Sequence, residues 1–263
     1  MKFDELDSKM RVFETAHDHC ALPGLFMVAR LDGRGFTRLT KEELDLERPF
    51  DVRFRDAMLA TVEHLMSCGF RATYGYTESD EISLLLHQDE SAFGRKLRKF
   101  HSVLAGEASA KASLELGCIA AFDCRISQLP TEKLVVDYFR WRHEDAHRNA
   151  LNAHCYWALR AEGASPTDAT GRLKRATMGE KNELLFQRGT NFNELPSWQK
   201  RGMGTYWESF EKEAVNPKTG ETTTAVRRRL KVEMELPLGE DYAAFAEDRV
   251  REAQGGETDA EAR

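Results

Sequence analysis

Arg30-Leu31-Asp32-Gly33-Arg34-Gly35-Phe36 closes the apolar run Leu25-Phe26-Met27-Val28-Ala29, and Tyr76-Thr77-Glu78-Ser79-Asp80-Glu81 opens the run Ile82-Ser83-Leu84-Leu85-Leu86. Each segment puts a carboxylate at the end of a strand-like stretch, where an acid is costly unless something neutralises it. Between them, the polar stretch Thr40 to Arg48 is closed by Pro49. A helix then fits Val52–Cys68, with Phe54, Met58, Thr61, Val62 and Leu65 on one face and Gly69 at its C-terminal stop. Phe70–Tyr76 and Glu81–His87 read as two strands around a tight turn, and alternation puts Ile82, Leu84 and Leu86 on one face. A second helix is expected over Ala92–Leu116, ended by Gly117, and a further strand over Ile119–Ile126. The order β-α-β-β-α-β predicts an α+β fold, a ferredoxin-like sheet with helices on one face.

Asp32 and Asp80 lie 48 positions apart, a βαβ spacing rather than a local pair. If the first and third strands are neighbours, their ends converge, and two carboxylates held that close repel unless cations neutralise them. A two-metal site for nucleotidyl transfer fits this arrangement, with Glu81 as a further ligand or a supporting group. Gly33-Arg34-Gly35-Phe36-Thr37 could offer backbone N–H groups to phosphate oxygens, with Arg34 adding charge, although it is neither a Rossmann fingerprint nor a P-loop. Taken singly, each of these is an ordinary turn. Their shared place in the topology favours the functional reading.

The remaining chain is long enough, at 263 residues, for one full core with an elaboration. After Pro130 the pattern turns helical. Apolar spacing runs through Val135, Tyr138, Phe139 and Trp141, then from Leu151 to Leu159, and Ser165-Pro166 opens another short helix as N-cap and N1 proline. Asn216-Pro217-Lys218-Thr219-Gly220 is a turn between extended stretches at Gly204–Ala214 and Glu221–Leu236, a long hairpin. Three regions are expected: a ferredoxin-like core over 1–130, a helical and hairpin elaboration over 131–239, and an acidic tail over 240–263 read as a frayed helix or a disordered segment.

Charge is unevenly spread. Glu240 to Arg263 holds eight acids and three bases, so residues 1–239 carry only −1 of the total −6. A near-neutral body with basic clusters at Arg95–Lys99, Arg140–Arg148 and Arg227–Arg229 admits a polyanion partner. No apolar run approaches the ~18 residues of a membrane span, and the acidic start Met1-Lys2-Phe3-Asp4-Glu5 does not read as a secretion signal. Five cysteines without a CxxC pair suggest reduced thiols and a cytoplasmic location. His143-Glu144-Asp145-Ala146-His147 matches the zinc-hydrolase pattern H-E-x-x-H, but Ala150 and Ala153 stand where its metzincin extension needs glycine and histidine. His17-Asp18-His19-Cys20 has no further group at ligand spacing and reads as a polar loop.

These residues strongly resemble the tRNA-His guanylyltransferase family, the 3′–5′ RNA polymerases. The likeness runs through Arg30-Leu31-Asp32-Gly33-Arg34-x-Phe36, Tyr74-Gly75-x-x-x-Ser79-Asp80-Glu81 and Phe122-Asp123-x-Arg125. It continues through Asp137-Tyr138-x-x-Trp141-Arg142, His147-x-Asn149 and Gly179-x-Lys181-Asn182-Glu183-x-Leu185-Phe186. The resemblance implies a polymerase-palm fold and chemistry at the 5′ end of tRNA: activation of the 5′-phosphate with ATP, then attack by the 3′-hydroxyl of an incoming nucleotide such as GTP. It also implies two Mg²⁺ ions held by Asp32, the Gly33 carbonyl and Asp80, with Glu81 as the second acid of the catalytic motif. Asp32, Gly33, Arg34, Gly35, Phe36, Thr37, Ser79 and Asp80 are the implied nucleotide-binding residues. Contacts to tRNA or triphosphate fall on Arg48, Arg95, Lys96, Lys99, Arg125, His147, Asn149 and Lys181. A homotetramer is implied as well.

The departures are specific. Where family members that add G to tRNA-His carry H-I-N-N-L-Y-N, this chain has His147-Arg148-Asn149-Ala150-Leu151-Asn152-Ala153. Gly35 and Thr37 replace the usual Asn and His, and Arg48-Pro49 replaces a Lys-Pro, keeping charge without lysine geometry. The chain is therefore more similar to the bacterial and archaeal guanylyltransferase-like proteins, with templated repair of truncated tRNA as the expected function. G−1 addition to tRNA-His is the alternative, and a non-catalytic palm-like RNA-binding protein stands behind both.

Overall fold

The computed structural model describes residues 2–215 and 222–255. In chain order the elements are α1 (Phe3–Thr15), β1 (Phe26–Arg34), the short α2 (Phe36–Arg38), α3 (Val52–Leu65), β2 (Ala72–Glu78), β3 (Glu81–Leu86) and α4 (Leu97–Leu116). They continue with β4 (Ala121–Leu129), α5 (Glu132–Ala161), α6 (Pro166–Arg175), α7 (Met178–Phe186), α8 (Ser197–Arg201), β5 (Met203–Val215), β6 (Thr222–Glu233) and α9 (Gly239–Gly255). The strands form one antiparallel sheet in the order β4-β1-β3-β2-β5-β6. Its first four strands have the ferredoxin-like arrangement, and β1 does lie beside β3.

Helices cover both faces, not one as the sequence pattern suggested. Met27, Ala29, Leu31, Ile82, Leu84 and Leu86 point to one side, against α3 and α4. Phe26, Val28, Leu85, Tyr74 and Tyr76 point to the other, against α5 and α9. A strand buried on both faces loses the clean alternation that marks a half-exposed one, and β3 is buried along its whole length. The hairpin joins the same sheet, because Tyr74 pairs with Tyr206 and Thr77 with Met203. Its expected turn at 216–220 lies outside the described residues.

Local chemistry explains the helix ends. Asp51 caps α3, its side chain accepting from Arg53 N at 2.7 Å. Gly117 ends α4 in the left-handed conformation. Ser165 and Pro166 begin α6 as expected, and Thr177 with Glu180 forms a capping box on α7. The two apolar stretches after Pro130 belong to one continuous helix, α5.

Three expectations change. The helix expected from Ala92 starts at Leu97, because Phe93, Gly94 and Arg95 have φ of 52°, 63° and 60° and form a separate left-handed turn. The residues read as an acidic tail form α9 up to Gly255, where Tyr242, Ala243, Ala246, Val250 and Ala253 are buried against the sheet. Its acids flank that stripe, so net charge hid the amphipathic pattern; residues 256–263 lie outside the described region. Finally, the acidic start is the helix α1, to which the sequence reading assigned no element.

Candidate active site

Strand register lines up four carboxylates across one end of the sheet. Asp32 on β1 sits opposite Asp123 on β4 and Glu81 on β3, and Glu81 sits opposite Glu78 at the end of β2. Directly paired residues of antiparallel strands share a face, so the row Asp123–Asp32–Glu81–Glu78 faces the α5 side. Two residues back along the strands runs a second row, Arg125–Arg30–Ser83–Tyr76. Most of the acids are neutralised from there or from α5. Arg30 donates to Asp32 at 3.1 Å, and Arg125 approaches Asp32 at 2.7 Å and Asp123 at 2.9 Å. Arg142 of α5 grips Glu81 and reaches Asp145 at 3.3 Å.

Among the described residues, Asp80 has no such cation. It stands in the two-residue turn between β2 and β3, where Ser79 has φ 49°, a strained value for a residue with a side chain. The Gly33 N–H donates to the Asp80 carbonyl at 3.0 Å, which ties the turn to β1. The Asp80 carboxylate accepts the Ser79 hydroxyl at 3.2 Å and its own backbone N–H. Burial raises its pKa, and the charge of Asp32 pushes the same way. Glu78 is pushed up to about 8, first by burial and then by Glu81. Burial also raises Glu81, against the pull of Arg142. Hard oxygen donors, two of them carboxylates and one without a cationic partner, suit Mg²⁺. Among the described residues no group of three or more His, Cys, Asp and Glu could hold a metal ion, so the fit rests on Asp32, Asp80 and the Gly33 carbonyl.

The loop after Asp32 is shaped by glycine. A Cβ on Gly33 would fall 2.4 Å from the Phe36 ring, so only glycine permits that ring to pack there. Gly35, at φ 77°, turns the chain into α2. Asp32, Phe36, Thr37, Ser79, Asp80, Glu81, Arg142 and Asn149 then line a cavity of about 690 Å³. A second, narrower cavity of about 110 Å³ adjoins it, walled by Arg48, Phe50, Phe54, Met58, Trp157, Trp198 and Met203. Arg48 lies over the Trp157 ring at 5.3 Å and Arg55 over Trp198 at 5.0 Å.

Other candidates from the sequence are dispersed. Arg95 is buried and donates to the carbonyls of Ala21, Leu22, Leu25, Gln88 and Glu90, so it is a structural keystone and not a contact for tRNA or triphosphate. Lys96 pairs with Asp18 at 3.0 Å and Lys99 lies by Phe93. Both sit beside the segment that leads into β1, at the end of that strand opposite Asp32. His147 packs edge-on to Phe192 and His143 stacks on Tyr242 at 3.9 Å, where burial and then Arg201 lower its pKa to about 4. The two imidazoles of the zinc-like run are thus packed on separate aromatic rings. Lys181 lies on α7, where its carbonyl accepts from Cys155. Arg125, Asn149 and Arg48 do reach the paired cavities or their acids.

Arg142 stands in the sequence only as part of a basic cluster and of the family motif, and neither Glu78 nor the aromatic walls carry a role there. One signal was available. Arg142, Asp145, Asn149, Asn152 and Tyr156 recur at helical spacing along α5, a polar stripe on an otherwise packed helix.

An antiparallel palm sheet with acids aligned at one end, beneath a polar cleft joined to an aromatic slot, defines a nucleotidyltransferase. Residues 7–130 match the family model of tRNAHis guanylyltransferase and residues 133–238 that of the Thg1 C terminal domain. The chain belongs to the tRNAHis guanylyltransferase family. A probable tRNA(His) guanylyltransferase of Drosophila melanogaster is 32% identical over 195 residues, 70% of this chain and 68% of its own length. The tRNA(His) guanylyltransferase of Debaryomyces hansenii is 31% identical over 194 residues, 69% of this chain and 73% of its own. Among solved structures, a bacterial tRNA(His) guanylyltransferase (Thg1)-like protein in complex with GTP aligns with a TM-score of 0.70 at 27% identity, covering 94% of this chain and 99% of that one. The same kind of protein in complex with ATP gives 0.71, also at 27% identity, over 93% and 99%.

Proposed function

We propose that this chain is an Mg²⁺-dependent enzyme that adds nucleotides in the 3′–5′ direction to the 5′ end of tRNA, repairing truncated ends against the opposing strand of the acceptor stem. The observation that carries the reading is the pairing of Asp32 with an Asp80 that has no cation of its own, at the mouth of a cleft large enough for a nucleotide and a nucleic-acid end. In the first step an oxygen of the tRNA 5′-phosphate attacks the α-phosphorus of ATP and pyrophosphate leaves. In the second, the 3′-hydroxyl of the incoming nucleotide attacks the activated 5′-phosphorus and AMP leaves. Bound Mg²⁺ would supply charge stabilisation at the reacting phosphates. The chain itself orients them through the Asp32–Thr37 loop, Ser79 and Arg125, and stacks a base in the slot of Phe50, Trp157 and Trp198.

Repair is favoured by the cleft wall. Ala150, Asn152 and Ala153 line it where the G-adding relatives carry Asn, Tyr and Asn. The smaller side chains leave room for a templating base opposite the incoming one. Addition of a single G to tRNA-His is the second reading, supported by the names of the curated relatives. A homotetramer is part of the proposal, checked by light scattering.

The discriminating experiment offers a 5′-radiolabelled tRNA lacking its first nucleotide, with Mg²⁺, ATP and each nucleoside triphosphate in turn. Extension only by the nucleotide complementary to the opposing base supports repair. Extension of full-length tRNA-His by G, whatever its partner, supports the second reading. No extension, even from a 5′-triphosphate end, overturns both and leaves an RNA-binding protein.

A further inference from the structure

Glu78 is the one carboxylate of the row with neither a hydrogen bond nor an ion pair among the described residues. Asp32 and Asp123 share Arg125, and Glu81 has Arg142. Asp80 also lacks a cation, but its place beside Asp32 accounts for it as a metal ligand. Nothing in the transfer chemistry accounts for Glu78.

Its position is informative. Glu78 and Ser79 belong to the wall shared by the polar cleft and the aromatic slot, together with Thr40, Lys41, Phe50 and Trp157. Among the described residues, Glu78 is the only acid in that shared wall. A nucleotide with its base between the aromatic side chains and its phosphates beside Asp32, Ser79 and Asp80 must pass its sugar across this junction. The sugar offers two donors, the 2′- and 3′-hydroxyls, and the Glu78 carboxyl presents an acceptor oxygen to them whether or not it is ionised. A carboxylate that accepts from ribose hydroxyls is the same solution that dinucleotide-binding folds reach with an acid near the ribose.

We propose that Glu78 is the ribose-reading residue of this site, accepting hydrogen bonds from the sugar hydroxyls of the bound nucleotide and so selecting ribonucleotides over deoxynucleotides. This deepens the nucleotidyltransferase reading and rests on it. Glu78 touches the nucleotide whose 3′-hydroxyl must be aimed, so its contact positions the sugar as well as selecting it.

The test measures Kd for GTP, 2′-deoxy-GTP, 3′-deoxy-GTP and 2′,3′-dideoxy-GTP on the full chain in magnesium buffer, with Glu78→Ala and Glu78→Gln beside the parent. The parent is expected to prefer GTP over the dideoxy compound by about tenfold, the size of a hydrogen bond to the sugar. Glu78→Ala is expected to bind all four alike, with its dideoxy-GTP affinity close to the parent's, which also shows an intact cavity. Glu78→Gln keeps the shape and one acceptor, and is expected to retain only part of the preference. If the parent binds ribo- and deoxynucleotides equally, if Glu78→Ala keeps any of the preference, or if Glu78→Gln keeps it undiminished, the assignment is overturned. A parent that binds none of the four would instead defeat the nucleotidyltransferase reading itself, a result separable from the first two.

Discussion

Arg142 holds Glu81 in a two-pronged grip, Nε to Oε1 at 2.6 Å and Nη2 to Oε2 at 2.7 Å, with both side chains almost fully buried. The pair joins α5 to β3 across 61 residues of chain, and it fixes Glu81 against the helix beside Asp32. Its role is therefore to position the hairpin that carries Asp80. Removing one partner strands a buried charge. Arg142→Ala is expected to lose about 3–5 kcal/mol of stability, and Arg142→Lys, which lacks the planar fork, to recover only part of it. Urea unfolding of both variants checks this; a loss within error of zero for Arg142→Ala would mean that the pair does not hold the helix.

Asp80 separates stability from activity. Burial and the neighbouring Asp32 both work against its ionised form, so removing the charge relieves a strain on the fold. Asp80→Asn is expected to match or exceed the parent in melting temperature. Its transfer activity should fall by about 10³-fold or more, since metal stabilisation of a reacting phosphate is worth several kcal/mol. Asp32→Ala should show the same activity loss, but leaves Arg30 and Arg125 without their shared acceptor. Measuring melting and single-turnover transfer on both variants decides it, and full activity in either would remove that residue from the metal site.

How much of this was legible before folding depends on how far each feature reaches along the chain. Asp32 and Asp80 stand at strand ends next to turn residues, so their convergence follows from the topology alone. The grip of Arg142 on Glu81 does not, because it depends on how α5 docks across the sheet. Arg95 shows the opposite failure: in a cluster of bases it reads as solvated, yet a left-handed backbone turns it inward onto five carbonyls. The aromatic slot draws Phe50, Trp157 and Trp198 from three separate segments, and no local pattern announces it. In α9 the apolar spacing was present all along, outweighed by a count of acids.

Gly33 offers a sharper probe of the loop than any charged residue. A methyl group there would lie 2.4 Å from the Phe36 ring, which is itself packed against Phe122 at 5.0 Å and Phe54 at 6.0 Å. The ring cannot yield without disturbing that cluster, so Gly33→Ala overpacks the core by about 1–3 kcal/mol. It also shifts the carbonyl assigned to the metal. Both melting temperature and nucleotide affinity are expected to fall in calorimetry; a variant that melts like the parent and binds as tightly would show that the loop has room to spare.

His143 predicts how stability responds to acid. Burial and then Arg201 lower its pKa from 6.5 to about 4 in the folded chain, with a hydrogen bond to the Pro237 backbone pulling the other way. Between these two values the unfolded chain binds the proton more readily than the folded one, so stability falls as pH drops from 6.5 toward 4. The loss is at most about 3 kcal/mol, at ~1.4 kcal/mol per pKa unit. His154, also lowered to about 4 by burial, adds a slope in the same window. His143→Phe keeps a ring against Tyr242 and cannot take up the proton. Its stability, followed by urea unfolding at a series of pH values, is expected to decline less steeply than the parent's over this window. An unaltered slope would place the proton uptake at the other imidazoles that burial holds low, His154 against Phe50 and His147 against Phe192 among them.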